Sequence, residues 1–136
     1  MFNIRVYGIL VNNNKILLVE ENVRDARLLK FPGGGLEIGE GTIDCLKREF
    51  REELGMEIKN IKHFYTTDFF VKSFLDPTQQ VVSIYYLCEM DEQEINYMLD
   101  TTMEFKWVDI QDVNEEMFLL PIDKVVAIKI MQELYN

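Results

Sequence analysis

The sequence is poor in the side chains that most often bind transition metals or form disulfides. It contains one histidine, His63, and two cysteines, Cys45 and Cys88. A zinc site built from several histidines is therefore excluded. The two cysteines lie far apart in apolar segments, where buried reduced thiols are more common than a disulfide or a metal site. We expect both thiols to be free.

Positive charge is also scarce. The chain has 14 Lys and Arg residues against 24 Asp and Glu residues, which gives a formal net charge of −10. Proteins that bind nucleic acid polymers depend on Lys and Arg to neutralise phosphates, so we expect no such polymer as a partner. An anionic small molecule would need a cation to mediate its binding.

Long apolar runs, a signal peptide and a linker are absent as well. No stretch is apolar for long enough to span a bilayer. The first residues, "MFNIRVYGIL", have neither a basic start nor a cleavage site. No Pro/Gly-rich or low-complexity tract interrupts the chain. These features predict one cytoplasmic domain over residues 1–136, with no membrane association.

What the sequence does contain is a series of β-rich and helical patterns. "NNN" is a hairpin signal, and "DPTQQ" is typical of a turn. Strands mixed with two helices predict an α+β fold with helices on the flanks of a largely antiparallel sheet. The predicted elements are strands 3–11 and 15–20, a polar loop 21–29, a break at "KFPGGG", a helix 42–54, strands 58–72, 79–89 and 104–109, and a helix 123–135.

Segment 42–54 has the pattern of an amphipathic helix, with apolar residues at spacings of three and four. That apolar stripe consists of Ile43, Leu46, Phe50 and Leu54. Thr42 is a candidate N-cap. Gly55 stands where a helix end favours a left-handed residue.

Three carboxylates, Glu49, Glu52 and Glu53, share one face in the last turns of this helix. Helix C-termini favour cations, and like charges four residues apart repel each other. This arrangement costs stability, which points to a functional use. Clustered carboxylate oxygens suit Mg²⁺ or Mn²⁺. A solvated acidic face is the alternative interpretation.

The glycine-rich loop and the helix together resemble the signature of the Nudix hydrolases. Phe50 and Met56 fill its apolar positions, and "FPGG" and "EFKWVDIQDV" extend a looser resemblance over most of the chain. The resemblance implies an α/β/α sandwich on a mixed sheet. It also implies metal-dependent hydrolysis of a nucleoside diphosphate linked to another group. The fixed positions of the signature are Gly34, Glu40, Arg48, Glu49, Glu52, Glu53 and Gly55.

By this resemblance, Glu49, Glu52 and Glu53 are the expected ligands of Mg²⁺ or Mn²⁺, and one of them would act as a base toward water. The Gly33 carbonyl would add a ligand, and Arg48 would orient a carboxylate through a salt bridge. Glu40 would close the loop onto the helix, although an acid at a helix start is also favoured by the helix dipole.

Candidate substrate-binding residues lie outside the signature. Phe31 would stack on a base or pack in the core. Arg24 and Arg27 would reach phosphate or ribose, or would be solvated loop residues. Asp123, after "LLP", would bond a purine edge or would N-cap the last helix.

Further acids occur in the loop 91–104. There, Asp100 and Glu104 would supply another metal ligand or base, or would be solvated.

The resemblance leaves the substrate open. Lys72 stands where many ADP-ribose-cleaving members have a proline, and Ser73 and Phe74 stand where many diadenosine polyphosphate hydrolases have a tyrosine. These departures favour a nucleoside triphosphate, oxidised or non-canonical forms included. An ADP-ribose or nucleotide-sugar pyrophosphatase is the alternative, followed by a non-catalytic nucleotide sensor. A homodimer is compatible with this resemblance.

Overall fold

The computed structural model describes residues 1–91 and 102–135. No helix in these residues is long and apolar enough to cross a membrane. Both cysteines are buried and free, as expected from the sequence. The strands are β1 (Phe2–Asn12), β2 (Lys15–Val23), β3 (Ala26–Lys30), β4 (Gly33–Gly35), β5 (Ile58–Thr66), β6 (Gln80–Met90) and β7 (Met103–Asp109); the helices are α1 (Thr42–Leu54) and α2 (Pro121–Glu133).

The sheet formed by these seven strands is mixed. Its main order is β3-β2-β1-β6-β5, with β4 beside β1 and β7 beside β2. β1 and β6 run parallel, and the other pairings are antiparallel. The β1–β2 hairpin turns through Asn13 and Asn14, which both have positive φ. This confirms the hairpin predicted from "NNN", because asparagine tolerates the left-handed conformation that such turns require.

Each face of the sheet is covered by one helix. Val6 and Leu10 of β1 pack with Phe50 of α1 in one buried cluster. Ile9 of β1 packs with Val126 of α2 in the other. Side chains alternate between the faces of a strand, so β1 contributes to both cores. The result is the α/β/α sandwich that the resemblance implied.

Two strands, β3 and β4, were not predicted from the sequence. Residues 21–29, predicted as a polar loop, form the end of β2 and most of β3. Charged cross-strand pairs compensate for the missing apolar alternation there, since Lys30 pairs with Glu21, and Glu20 bonds Lys106 of β7 at 2.9 Å. β4 consists only of glycines, whose backbone pairs with β1 although they have no side chains to pack.

Other differences concern the ends of elements. The strand predicted over 58–72 ends at Thr66. Ile43, which was expected to face the core, is 42% exposed. Helix α1 spans the predicted residues, but its N-cap is Gly41, since the Thr42 hydroxyl is engaged by the Tyr86 hydroxyl at 2.6 Å. Gly55 ends α1 in the left-handed conformation, as predicted.

Candidate active site

The acidic face of α1 is organised around one guanidinium. Arg48 Nη1 donates to Glu49 Oε1 at 3.1 Å and to Glu52 Oε2 at 3.2 Å. Its Nε and Nη2 bond both oxygens of Glu40, at 3.0 and 2.8 Å. Nη2 also donates to the Gly35 carbonyl at 3.1 Å. A planar fork of donors can bridge several acceptors in this way, whereas a Lys ammonium lacks that geometry.

Glu40 fastens the loop to the helix. Beyond its two bonds to Arg48, its Oε1 accepts from the Glu37 backbone N–H at 2.9 Å. The Arg48 guanidinium, with help from that N–H, lowers the pKa of Glu40 to about 2. Glu40 therefore stays ionised and bonded at neutral pH.

Glu49 approaches the backbone of β4 very closely. A Cβ at Gly34 would lie only 2.4 Å from Glu49 Oε1, so that position accepts no side chain without displacing the carboxylate. The preceding Gly33 has a φ of +149° and would bring a Cβ within 2.1 Å of the Val6 carbonyl. Glu49, with a side chain only 13% exposed, is thereby held against the glycine strand, while Glu52 is 59% exposed.

The donor set on this face is made of oxygens, which hard divalent cations prefer. Glu49 and Glu52 accept hydrogen bonds from the same Arg48 nitrogen, and most of the Glu52 side chain is exposed to solvent. Among the described residues, no three Asp, Glu, His or Cys side chains converge closely enough to hold an ion as they stand. In chemistry the residues fit a hard cation, and binding one would require the carboxylates to draw together.

A cavity of about 500 Å³ opens on the opposite face of the sheet. Its walls come from strands β1, β2, β3 and β6, from residues 69–75 and from the start of α2. Three phenylalanines line it, and each is partly exposed: Phe69, Phe70 and Phe74. Its lining is therefore mainly apolar, with a few charged groups, which is typical of a pocket for a planar organic group.

Asp123 lies at the wall of this cavity and is only 4% exposed. Its Oδ1 accepts a hydrogen bond from the Tyr85 hydroxyl at 2.7 Å. Burial raises the pKa of Asp123 to about 6, against the opposing effects of Tyr85 and Lys30. Asp123 does not N-cap α2, because the N-cap is Leu120 and Asp123 is the third helical residue.

Comparison with known proteins identifies the family. The NUDIX domain family matches residues 1–129. The chain belongs to the Nudix family. Nudix hydrolases act on pyrophosphate bonds, and so does this protein. It is 31% identical over 103 residues to the nucleoside triphosphatase NudI of Escherichia fergusonii. The matched region covers 71% of this chain and 72% of that protein.

Two further Nudix proteins match most of the chain. The RNA pyrophosphohydrolase of Bartonella clarridgeiae is 27% identical over 131 residues, covering 85% of this chain and 75% of that protein. A solved Nudix hydrolase from Nitrosomonas europaea superposes with a TM-score of 0.76 over 97% of this chain and 89% of its own, at 23% identity. This structural likeness confirms the Nudix fold.

Phe31 and Arg24, two other predicted site residues of this Nudix domain, lie outside the cavity. Phe31 is fully buried, stacks on Phe118 at 5.2 Å between centroids, and does not line the cavity. This placement favours the core interpretation. Arg24 donates to the Leu75 carbonyl and so joins its turn to the segment on the cavity rim.

Arg27 lies between two acids, at 3.4 Å from Glu20 and 3.2 Å from Glu104. Neither arginine of the β2–β3 hairpin lines the cavity, and Glu104 faces Arg27 from β7. Asp100, the other acid proposed for the loop 91–104, lies outside the described residues.

Sequence reasoning missed four charged residues in the cavity, Arg5, Glu21, Lys30 and Lys72. A weak signal was present for Arg5, which interrupts an otherwise apolar run in the first strand. Glu21 had no such signal, because the polar composition of residues 21–29 indicated a loop, and Lys30 fell in the break predicted at "KFPGGG".

Proposed function

We propose that this protein hydrolyses a nucleoside triphosphate, or a related nucleoside diphosphate derivative, with Mg²⁺ or Mn²⁺. The observation that carries the proposal is the pairing of two sites across one glycine strand. Arg5, which lines the apolar cavity, lies beside Gly35 of β4, and the Glu49 carboxylate of α1 lies against Gly34 on the opposite face. A nucleotide has the same two parts, a planar base and a chain of phosphates.

The cavity suits the base. Partly exposed phenylalanines offer faces for stacking, and Asp123 offers a carboxyl oxygen for the hydrogen-bonding edge of a purine. Its proposed role in reading that edge is supported by its burial and its position on the wall. The similarity to a nucleoside triphosphatase favours the same substrate class.

The carboxylates suit the phosphates through a metal ion. Glu49, Glu52 and Glu53 would hold the cation, with the Gly33 carbonyl as a further ligand and Arg48 holding Glu49 and Glu52 in place. A bound divalent cation would neutralise phosphate oxygens and acidify water. We expect no phosphate to bind well at this acidic face without it.

The reaction would be an in-line displacement at phosphorus. A water oxygen forms a new P–O bond as the bridging P–O bond breaks, and the displaced phosphate or pyrophosphate leaves with the electron pair. One of the three α1 glutamates would accept the proton from water.

An activity panel would test the proposal. Purified protein with Mg²⁺ or Mn²⁺ should release pyrophosphate or phosphate from nucleoside triphosphates, and chelation should stop the reaction. Asp123→Asn should lower kcat/KM for purine substrates more than for pyrimidine substrates. Turnover of none of these compounds would refute the nucleotide assignment.

Two alternatives belong in the same panel. Preferred cleavage of ADP-ribose or a nucleotide sugar would replace the triphosphate as substrate. Preferred cleavage of RNA, the substrate class named for one relative, would overturn the expectation of a small-molecule substrate. Our proposal favours the small molecule because the net charge of −10 opposes polymer binding.

The proposal extends to location and assembly. A small-molecule nucleotide substrate fits a cytoplasmic enzyme, either monomeric or homodimeric. Cell fractionation tests the first point, and light scattering across a dilution series tests the second.

A further inference from the structure

The edge strand β4 separates the cavity from the carboxylates. In its register with β1, Val6 lies opposite Gly34 and Arg5 lies opposite Gly35. Neighbouring residues of a strand point to opposite faces. Glu49 therefore covers Gly34 on the α1 side, while Arg5 Nη1 lies 3.5 Å from the position of a Cβ on Gly35. Because β4 consists of glycines, none of its own residues projects a side chain from either face.

The Arg5 side chain is held in place mainly by one neighbour. Its Nε donates to the Tyr7 hydroxyl at 2.6 Å, and its guanidinium carbon lies 5.7 Å from the centroid of the Tyr7 ring. Within residues 1–91 and 102–135, no oxygen accepts a hydrogen bond from its Nη1 or Nη2, and no carboxylate lies at ion-pair distance. Two guanidinium nitrogens of this partly buried side chain thus have no partner among the described residues.

Other cations of the cavity differ from Arg5. Lys30 is already paired with Glu21, and Lys72 is an exposed residue of the rim. Arg5 is near enough to Glu49 and Glu53 to feel their charge across the glycine strand. It is therefore a cation that faces the cavity and lies close to the carboxylate site.

We propose that Arg5 binds the phosphate chain of the substrate where that chain passes over β4 from the cavity to the carboxylates. This inference rests on the proposed function, which requires one molecule to occupy both faces. A free guanidinium fork matches two phosphate oxygens. Arg5 would be a binding and positioning residue, because it holds the substrate in register while the α1 side chains face the reacting phosphorus.

Binding measurements would isolate this role. Calorimetry at fixed Mg²⁺ would compare a nucleoside, its α,β-methylene triphosphate and inorganic tripolyphosphate. In Arg5→Met, Kd for the two phosphate ligands should rise about ten- to a hundredfold, since a hydrogen-bonded charge is lost. Kd for the nucleoside should not change. Arg5→Lys keeps the charge but lacks the planar fork of donors, so its Kd for the phosphate ligands should lie between the values of the wild type and of Arg5→Met.

Arg51→Met is the matched control. Arg51 pairs with Glu57 on the outer surface of α1 at 2.6 Å, so the variant loses the same charge far from the cavity. Its affinities for all three ligands should equal those of the wild type. Thermal unfolding of both Met variants would verify that each remains folded. If Arg5→Met does not fold, the comparison is made with Arg5→Lys instead.

The outcomes separate the inference from the proposed function. Equal phosphate affinity in the Arg5 variants and in Arg51→Met would overturn the role of Arg5. If the wild type bound tripolyphosphate but no nucleotide, the proposed function would fail, and loss of tripolyphosphate binding in Arg5→Met would still support a phosphate site. Failure of the wild type to bind any phosphate ligand would overturn both.

Discussion

The buried Asp123 carboxyl makes the stability of this protein depend on pH in a way that one substitution can isolate. Burial raises its pKa to about 6 from an ordinary 3.8, and the Tyr85 hydroxyl stays bonded to Oδ1. The gap corresponds to roughly 3 kcal/mol between the protonated and ionised forms. An asparagine has the same shape and a carbonyl oxygen for Tyr85, but it does not ionise.

The sign follows from proton binding. The folded state binds the Asp123 proton more tightly than the unfolded chain, so this group adds stability as the pH falls through 6 and loses it as the pH rises. Between pH 8 and pH 5, linkage gives the wild type a relative gain of about 1.4 kcal/mol. That range stays above the isoelectric point near 4.5, where the protein would be poorly soluble.

Urea unfolding of the wild type and of Asp123→Asn at the two pH values measures this gain. Any constant cost of burying the amide NH₂ cancels when the difference between the two proteins is compared across pH. Tyr85→Phe is the companion variant. Loss of the hydroxyl donor should raise the pKa of Asp123 further, so the change in stability that Asp123 causes should occur at a higher pH. A stability difference between wild type and Asp123→Asn that is identical at pH 5 and pH 8 would refute the reasoning.

Three further predictions concern the carboxylate face. Glu52→Gln and Glu53→Gln should each lower kcat at least about a hundredfold, while the free energy of unfolding of the metal-free protein holds or rises slightly, because each change removes like-charge repulsion near the end of α1. Full activity in both variants would contradict the metal assignment. Arg48→Lys should lower kcat more than it raises the nucleotide Kd, because a Lys ammonium cannot bridge the carboxylates as the Arg48 fork does; unchanged kinetics would reduce Arg48 to a surface charge. Gly34→Ala should lower kcat at least about tenfold by displacing Glu49, whereas Gly41→Ala, whose added Cβ would only touch Asp44 at 3.5 Å, should keep kcat within about twofold. Equal kcat in the two alanine variants would show that Glu49 tolerates displacement.

The helix was predicted well because its signals are local. Apolar spacing, a glycine C-cap and the excess of acids all lie within one segment, so α1 has its predicted span and Glu49 and Glu52 meet at Arg48. The N-cap was misplaced because the hydroxyl of Thr42 has a distant partner, Tyr86. Nothing local in the sequence indicates that contact.

The cavity could not be predicted for the same physical reason. Its wall combines residues from four distant parts of the chain, which only the sheet order brings together: Arg5 of β1, Lys30 of β3, Phe70 of the segment after β5, and Asp123 of α2. The parallel pairing of β1 with β6 sets that order, and it joins strands some 70 residues apart. Polar strands such as β3 also look like loops until their cross-strand charges are known.

This difference between local and distant residues explains why the signature predicts the type of bond that is cleaved better than it predicts the substrate. The groups proposed to act at phosphorus lie on one helix and the glycine strand it touches, so short-range spacing nearly determines their arrangement. The groups proposed to hold the base belong to residues 69–75 and to α2, two distant segments that only the fold brings together. A change in residues 69–75 or at the start of α2 would reshape the cavity without moving Glu49 from Gly34. Substrate preference in such a domain can therefore change while its hydrolytic chemistry is retained, and Arg5 is the residue through which we expect the two parts to be coupled.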